Sequence, residues 1–336
     1  MLIGPTTSRA DVITHELAPC RRAPSEVFKN GAAGLAVPEL RKSLFIERNR
    51  ERVSQEQLVT TGLDQEKRAV REFWNRQSCG EVYAAGDTPR DRLDAQARAR
   101  YELEPYIVDF ARFADGRGKD VLEIGVGMGA DHLEWAKSSP RSLTGIDLTP
   151  RAIELTQARI DEYGLASTLE CADAEKLPFA DDSFDIVYSW GVLHHSPDTP
   201  RAIDEVYRVL RPGGVARIMI YHYWSITGYM LWLRYGLAHG LSLRSVYARY
   251  LESPGTKAYT IKEAEQMVED FTNVSARSQL SFGDLLQGAV GQRHSGKLLT
   301  IAKRIWPRAL IGRLLGRHGL MLLIEARKPD LSTNVA

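Results

Sequence analysis

The 336-residue sequence predicts an α/β fold with a parallel β-sheet that is covered by helices on both faces. After Gly118, short apolar runs alternate with amphipathic segments of helical periodicity. The predicted strands are DVLEI, SLTGID, TLEC, FDIVYS and GVARIMIY, and the helices between them are ADHLEWAKS, PRAIELTQARIDEYG and PRAIDEVYRVL. Continuous apolar strands that alternate with helices are typical of a parallel sheet buried on both faces.

Local signals predict where several of these elements begin and end. Thr149 and Thr199 each open the string TPRAI, in which the threonine is predicted to cap a helix and the proline to take its first position. Thr260 and Glu263 form a predicted capping box before a later helix. RVLRPGG predicts a helix end and a turn into the fifth strand, and VSARSQLS and LMLLIEAR predict two further strands.

The segments outside this alternation predict a peripheral organisation. Residues 1–65 show no sustained period and are interpreted as an extension with one helix around Pro38–Val53. Residues 66–336 form the predicted main domain. Within it we expect a helical lid (66–115), a core (119–222), an insertion after the fifth strand (223–257) and a basic helical insertion (282–319), in which Leu298, Ile301, Ala302 and Ile305 share one face.

The bulk composition excludes several classes of protein. There are 44 Lys and Arg against 43 Asp and Glu, so the net charge gives no general attraction to nucleic acid. Cys20, Cys79 and Cys171 form no CxxC pair, and their sparse, odd number favours a reducing cytoplasm. The N-terminus lacks a signal-peptide core. The apolar stretch 226–243 is interrupted by Arg234 and His239, so we expect no transmembrane segment.

A glycine-rich loop is the first candidate for chemistry. Gly125, Gly127 and Gly129 follow a predicted strand and open a helix, and glycines there allow a tight turn and close backbone contact with a ligand. Because Ala130 also completes a GxGxxA pattern, the loop alone is compatible with a nicotinamide-binding Rossmann domain. Glu123, two residues before the first glycine, would repel a pyrophosphate but suits a ligand that carries an ammonium and a sulfonium. Asp147 ends the next strand, at the distance expected of a carboxylate that binds ribose hydroxyls.

The strings EIGVGMG, GIDLTP, ADAEKLPF, SFDIVYS, VLHH and RVLRPGG, in this order, resemble the class I S-adenosylmethionine (SAM)-dependent methyltransferases of the type 11 domain family. The resemblance is dense over residues 119–223. It implies a Rossmann-like sheet of parallel strands with a C-terminal antiparallel strand, helices on both faces and helical lid insertions. It also implies that SAM is bound and that S-adenosylhomocysteine (SAH) is released.

The resemblance also implies roles for single residues. The loop from Gly125 through Gly127 to Gly129 would lie under the amino-acid end of SAM. Asp147 would hold the ribose and Leu148 would lie against the adenine. Asp173 would accept from the adenine amino group, the Ala174 amide would donate to the ring, and Trp190 would flank the sulfonium. Tyr101, on an upstream helix, is a further candidate contact to the cofactor.

Methyl transfer needs positioning and, for some acceptors, a base, but no metal. His195 and Tyr221 are the candidate catalytic residues, since the carboxyl ends of parallel strands open onto the substrate in such sheets. His195 could equally line the pocket only. Six aromatic residues lie between positions 221 and 235, and they predict either a packed lid helix or faces that sandwich a flat or apolar acceptor.

The sequence leaves several interpretations open. We expect methylation of an O, N or C atom of a small, apolar or aromatic molecule. The alternatives are C-methylation of an alkene through a carbocation, a non-catalytic SAM-binding protein and an NAD-type oxidoreductase. A nucleic-acid substrate is not expected, because no matching module appears. The basic segment 282–319 could be a solvated face or could meet an acidic substrate, an anionic membrane or a second copy in a homodimer.

Overall fold

The structure, a computed structural model, describes residues 62–287, 304 and 306–330. Within these residues, seven strands form one sheet in the order β3-β2-β1-β4-β5-β7-β6. The strands are β1 (Asp120–Ile124), β2 (Ser142–Asp147), β3 (Thr168–Cys171), β4 (Phe184–Trp190), β5 (Leu210–Tyr221), β6 (Thr272–Gln279) and β7 (Met321–Arg327). Strands β1 to β5 are parallel, and β7 is antiparallel to both β5 and β6. The predicted α/β fold with a C-terminal antiparallel strand is confirmed.

Helices cover both faces of the sheet. The first three of them precede the first strand in the chain. The helices are α1 (62–76), α2 (Pro89–Leu103), α3 (Tyr106–Ala111), α4 (Ala130–Lys137), α5 (Pro150–Glu162), α6 (Thr199–Val209), α7 (Ile226–Leu231), α8 (Leu243–Val246), α9 (Ile261–Met267) and α10 (Arg308–Leu314). Single π-helical turns, Trp232–Gly236 and Tyr247–Leu251, continue α7 and α8. None of the helices among the described residues is both long and apolar enough to cross a membrane.

Helix starts follow the predicted capping chemistry with one exception. Thr149 caps α5 through the Ala152 amide, and Thr260 and Glu263 form the predicted capping box of α9. The Thr199 prediction is wrong. Asp198 is the cap of α6 and accepts from the Arg201 amide, while Thr199 is the first helical residue and its hydroxyl donates to the Leu193 carbonyl. The aspartate immediately before the threonine takes the capping position, which both residue types favour.

The fifth strand begins earlier than the sequence suggests. RPGG belongs to β5, which starts at Leu210, and the pairing register with β4 shifts between Phe184 and Ile186. Gly213 adopts a left-handed φ of 77° within this irregular stretch. The Pro-Gly-Gly sequence therefore forms a bulged strand start rather than a separate turn.

Alternate residues of the central strand supply two hydrophobic cores, one on each face of the sheet. Leu122 and Ile124 point to the face covered by α6 and α9. Val121 points to the opposite face, where it packs with Trp135 of α4 and Ile160 of α5. This period of two explains why strands with continuous apolar sequence lie between two helical layers.

Some predictions fall on residues that the structure does not describe. The helix around Pro38–Val53 and the apolar face of Leu298, Ile301, Ala302 and Ile305 lie outside the described residues. The predicted domain boundaries therefore remain predictions.

Candidate active site

A cavity of about 360 Å³ opens at the carboxyl ends of the parallel strands. Its floor is formed by the residues that end β1, β2, β4 and β5, and its walls come from α1, α2 and the segments around Leu251 and Phe282. In an open α/β sheet ligands bind at this edge, at the point between β1 and β4 where the order of the strands reverses. The cavity is therefore the candidate site.

The glycine loop forms one wall of this cavity. Gly125 and Gly127 line it, with left-handed φ angles of 84° and 55°. A Cβ atom on Gly125 would stand 2.1 Å from Val192 Cγ2, whereas one on Gly127 would meet only Ser78 Oγ at 3.9 Å. Gly129 caps α4 and packs on Thr156, and it is not among the residues that line the cavity. The loop thus leaves open space above Gly127.

Asp147 lies at the end of β2 beside this loop. Its Oδ1 accepts from the amide and the hydroxyl of Thr149, both at 2.9 Å, and its Oδ2 accepts from the Gly127 amide at 3.2 Å. Burial raises the pKa of the Asp147 carboxyl, against these hydrogen bonds, which lower it. A carboxylate oxygen accepts about two hydrogen bonds, so Oδ2 has capacity for one ligand hydroxyl.

Glu123 lines the cavity and pairs with a buried histidine. Its Oε2 lies 3.0 Å from Nδ1 of His132, whose Nε2 lies 2.6 Å from Ser167 Oγ. Burial and the nearby Asp131 raise the pKa of Glu123 well above its usual range, and burial lowers the pKa of His132 to about 3. A cationic ligand at this end would favour the ionised form of Glu123.

A second buried carboxylate organises the helices over the loop. Asp131 accepts from Arg100 Nε at 2.8 Å and Nη2 at 2.6 Å, from Tyr188 at 2.7 Å and from Tyr101 at 3.0 Å. Arg100 lines the cavity, whereas Tyr101 does not. The structure therefore places Arg100, rather than the predicted Tyr101, where it can meet the carboxylate of a ligand; Tyr101 holds Asp131.

Helix α1 covers the end of the cavity beside β3. Lys67 Nζ donates to Asp173 Oδ2 and to Glu175 Oε2, both at 2.6 Å. These two hydrogen bonds raise the pKa of the Lys67 ammonium, although burial opposes the shift. Leu148, Asp173 and Ala174 line the same end of the cavity. The predicted adenine-binding residues thus lie together, with Lys67 above them.

A polar cluster lies at the opposite end. The Tyr221 hydroxyl donates to Glu252 Oε2 at 2.7 Å, and His195 Nε2 lies 3.3 Å from the same oxygen. His195 Nδ1 lies 2.8 Å from Ser253 Oγ, and the His195 ring packs at 5.3 Å from Trp74. His195, Tyr221, Glu252 and Trp190 all line the cavity. The two predicted catalytic residues therefore meet on one carboxylate.

Comparison with known proteins finds a match over the segment that carries the glycine loop. Residues 122–218, which carry the glycine loop and strands β1 to β4, match the family model described as a methyltransferase domain. This segment of the chain is similar to a methyltransferase domain.

Known proteins resemble the chain over a limited segment. An uncharacterised protein of Mycobacterium tuberculosis is 38% identical over 38% of this chain and 44% of its own length. Phthiotriol/phenolphthiotriol dimycocerosates methyltransferase of Mycobacterium leprae is 46% identical over 29% of this chain and 36% of its own length. The 27-O-demethylrifamycin SV methyltransferase of Amycolatopsis mediterranei is 36% identical over 29% and 36%. The matches thus span less than half of each relative.

The sequence does not predict several residues of the candidate site. Lys67, Arg100 and Glu252 lie on helices or loops without a motif, and their partners are far away in the chain. Glu252 follows the aromatic segment in the chain, and no motif of the sequence marks it. Its pairing with Tyr221 depends on the tertiary fold.

The aromatic segment after β5 contributes less to the cavity than predicted. Among its six aromatic residues, all of them described, Tyr221 is the one that lines the cavity, and Trp224 and Tyr229 are exposed. These residues therefore do not form the predicted sandwich at the cavity. The other aromatic residues that line the cavity come from other parts of the chain: Phe73, Trp74, Tyr83, Trp190 and Phe282.

The histidine pair also bears on metal binding. His194, His195 and Glu252 offer ligand atoms that lie within 4.8 Å of one another. Imidazole and carboxylate together suit several transition metals. The expected absence of a metal therefore stays a prediction.

Proposed function

We propose that the chain transfers a methyl group from SAM to a hydroxyl oxygen of an apolar small molecule. The observation that supports this most is a single continuous cavity. One end of the cavity is lined by the glycine loop, Asp147 and Asp173, and the other by apolar side chains around Glu252. Methyl donor and acceptor would share this space, as an in-line displacement requires.

The residues present fit SAM at the first end. The open space above Gly127 would take the amino-acid part, where Arg100 offers a cation to the carboxylate and Glu123 an anion to the ammonium. Asp147 Oδ2 retains acceptor capacity for a ribose hydroxyl. The adenine would lie beside Leu148, Asp173 and Ala174 under Lys67. Bound SAM supplies a methyl group on a sulfonium. The sulfur is the leaving group and becomes the neutral thioether of SAH.

The second end of the cavity favours an apolar acceptor. The cavity walls carry apolar side chains that offer contact area and no charge: Val70, Phe73, Trp74, Leu103, Met219, Leu251, Phe282, Leu320 and Met321. Pockets of this kind bind ligands mainly by burial of apolar surface, with a few polar groups that fix the orientation. Glu252, Tyr221 and His195 supply those polar groups here.

Glu252 is the proposed proton acceptor. A hydroxyl oxygen that forms a bond to the methyl carbon must lose its proton, and a positioned base contributes a factor of about 10² to 10⁴ to such a step. The Glu252 side chain is 32% exposed, so it is reachable from the cavity. Tyr221 donates to it and orients it. Positioning of the two reactants would supply further acceleration.

The names of the relatives lend support to this choice of acceptor. One is named for 27-O-demethylrifamycin SV and another for phthiotriol and phenolphthiotriol dimycocerosates. The first name specifies a missing O-methyl group. An apolar hydroxyl acceptor for the present chain is consistent with both names.

Isotope transfer tests the proposal. The chain is incubated with SAM that carries a labelled methyl group and with the apolar fraction of a host metabolite extract, and the products are analysed by mass spectrometry and NMR. We expect a labelled O-methyl product that forms about 10² to 10⁴ times more slowly with Glu252→Gln. A labelled C-methyl product would support the carbocation alternative. SAM binding without any labelled product would point to a non-catalytic protein.

A further inference from the structure

Two helical segments present large apolar side chains to solvent beside the cavity wall. On α7 and the π-helical and 3₁₀ turns that follow it, Tyr229, Leu233 and Leu237 are spaced four residues apart, and all three are exposed. Leu233 and Leu237 are 62% and 60% exposed. On α10, Leu310 and Leu314 repeat the same spacing and are 56% and 68% exposed. Apolar side chains grouped in this way mark an interaction surface.

The two segments form one surface. Trp224 is 47% exposed. Its backbone carbonyl oxygen lies 3.1 Å from His318 Nδ1. The rings of Tyr229 and His318 are 6.2 Å apart. Asp284 also joins the segments: its carboxylate accepts from Thr227 and from the Leu320 amide, and its carbonyl accepts from Trp306. We call this the leucine-arginine surface. Its exposed members are Trp224, Tyr229, Leu233, Arg234, Leu237, Leu310, Arg313, Leu314, Leu315 and Arg317.

The leucine-arginine surface has one sign of charge. Residues 223–251 and 306–324 contain no aspartate or glutamate, and Arg234, Arg313 and Arg317 are exposed among their leucines. Asp284 is fully buried and accepts hydrogen bonds on both oxygens, so it does not offset these cations at the surface. Any partner must therefore offer both an apolar region that can bury the leucines and negative charge that can pair with the arginines.

We propose that this surface docks on an anionic lipid bilayer. Leucines on an amphipathic helix enter the boundary between headgroups and acyl chains, while arginines keep their guanidinium groups at the level of the phosphates. Each basic residue near an anionic bilayer strengthens binding by about fivefold, and salt weakens the attraction. The mixed leucine and arginine pattern suits this environment.

A symmetric contact between two copies of the chain is less favoured by the same charges. A twofold interface applies the same patch to itself, so two surfaces of the same positive sign would be brought together. A nucleic acid would match the charge but would leave Leu233, Leu237 and Leu314 in contact with a polar backbone. The bilayer is the one partner of the three that satisfies both side-chain types.

The surface also lies next to the proposed acceptor end. Thr227 on α7, Phe282 in the turn that holds Asp284 and Leu320 before β7 all line the cavity. An apolar molecule dissolved in the bilayer would therefore need to pass only a short distance. Membrane docking itself does not depend on methyl transfer, so the test below stands even if the proposed function fails.

Vesicle flotation with the full chain tests the proposal. The probes are vesicles of phosphatidylcholine alone and vesicles in which about a third of the lipid is phosphatidylglycerol. One variant is Leu233→Ser with Leu237→Ser, and a second is Arg313→Gln with Arg317→Gln. The control is Arg92→Gln with Arg98→Gln, which changes the net charge equally on exposed positions of α2. Circular dichroism establishes that each variant is folded.

We expect flotation with the anionic vesicles, loss of flotation at high salt and little with the neutral vesicles. The arginine pair should lower the partition coefficient by about 25-fold. The leucine pair should lower it at least as far, and the α2 control should leave it unchanged. Equal flotation with both vesicle types, or variants that behave like the control, would overturn the proposal. A dimer that is dissociated by the leucine pair and does not bind vesicles would also overturn it, in favour of self-association.

Discussion

Lys67 Nζ lies 2.6 Å from Asp173 Oδ2, which ties helix α1 to the loop after β3. The same nitrogen lies 2.6 Å from Glu175 Oε2. Because Asp173 is the predicted adenine acceptor, one ammonium group joins the helix that covers the cavity to the part of the sheet that would hold the cofactor. Closure of the cavity and cofactor binding are therefore expected to be linked.

Lys67→Met should weaken SAM binding. Without the ammonium group, α1 is no longer held over the adenine end, and we expect the Kd for SAM to rise about tenfold, mainly through faster dissociation. The ion pair of Lys67 and Asp173 is partly exposed, so its loss should change the free energy of unfolding only slightly. Stopped-flow and calorimetric binding measure the change. Lys67→Arg should retain most of the affinity, and Lys176→Met, exposed on the same loop, serves as the matched control. A Kd for Lys67→Met equal to that of the control contradicts the link.

Gly125→Ala should destabilise the fold. Its φ of 84° costs an alanine about 1–2 kcal/mol, and the new Cβ would stand 2.1 Å from Val192 Cγ2. Denaturant unfolding should show a loss larger than the conformational cost alone. Adding Val192→Ala should recover part of the excess, since it removes the atoms in conflict. A double variant no more stable than Gly125→Ala would show that the overlap is not the cause.

Gly127→Ala should lower the affinity for SAM in a protein that still folds. Its φ of 55° carries a similar conformational cost of about 1–2 kcal/mol, but its Cβ would meet only Ser78 Oγ at 3.9 Å. The variant should therefore fold, while the added methyl group occupies space assigned to the cofactor and lowers SAM affinity at least tenfold. Calorimetric titration gives the affinity, and a folded variant with unchanged affinity would place the cofactor elsewhere.

Glu252→Gln should lower kcat and leave cofactor binding intact. Loss of a positioned base predicts a decrease of about 10² to 10⁴ in kcat, whereas the Kd for SAM should change less than about twofold, since Glu252 lies at the other end of the cavity. Tyr221→Phe, which removes the hydroxyl that orients Glu252, should cause a smaller decrease. Single-turnover kinetics, with the acceptor identified by isotope transfer, measures the decrease in rate for both variants. Full turnover by Glu252→Gln would remove Glu252 from the mechanism.

His194 should make the fold acid-sensitive. Its ring is fully buried, and neither ring nitrogen has a hydrogen-bond partner among the described residues. Burial, then His195, lowers the pKa of His194 well below its usual range, so the unfolded chain binds a proton below about pH 6.5 that the folded chain does not. Stability is therefore retained above that pH and lost as the pH falls, by about 1.4 kcal/mol per pH unit.

The variant His194→Leu checks this dependence. We compare the free energy of unfolding of the variant with that of the parent chain at each pH. This difference should be about 2 kcal/mol more favourable to the variant at pH 5 than at pH 8. Urea unfolding at both values, with a chelator present, isolates the proton effect from metal binding. An identical pH dependence in both chains would show that His194 does not titrate on unfolding.

The sequence predicts the parts of the site that depend on local patterns. Gly125, Asp147 and Asp173 follow recognisable strands, and the carboxyl ends of neighbouring parallel strands must meet at one edge of the sheet. The predicted strands match the observed ones closely for the same reason: β1 is DVLEI in both. Local periodicity and capping suffice for these features.

The missed features depend on long-range contacts. Lys67 and Asp173 are 106 residues apart, and Tyr221 and Glu252 are 31 apart. No period or motif links such pairs, because the packing of α1 and of the segment after α8 on the sheet brings them together. Arg100 replaces Tyr101 at the cavity for a related reason: on a helix, neighbouring residues point about 100° apart, and tertiary packing decides which of them faces the ligand.

Calorimetric titration of SAH into the full chain tests the central claim that this cavity is a SAM site. The account predicts one site per chain and an affinity that falls at least tenfold in Asp147→Ala, since that variant loses the carboxylate at the ribose position. NAD should give no binding heat. Binding of NAD in place of SAH, or an SAH affinity unchanged in Asp147→Ala, would contradict the assignment of the site.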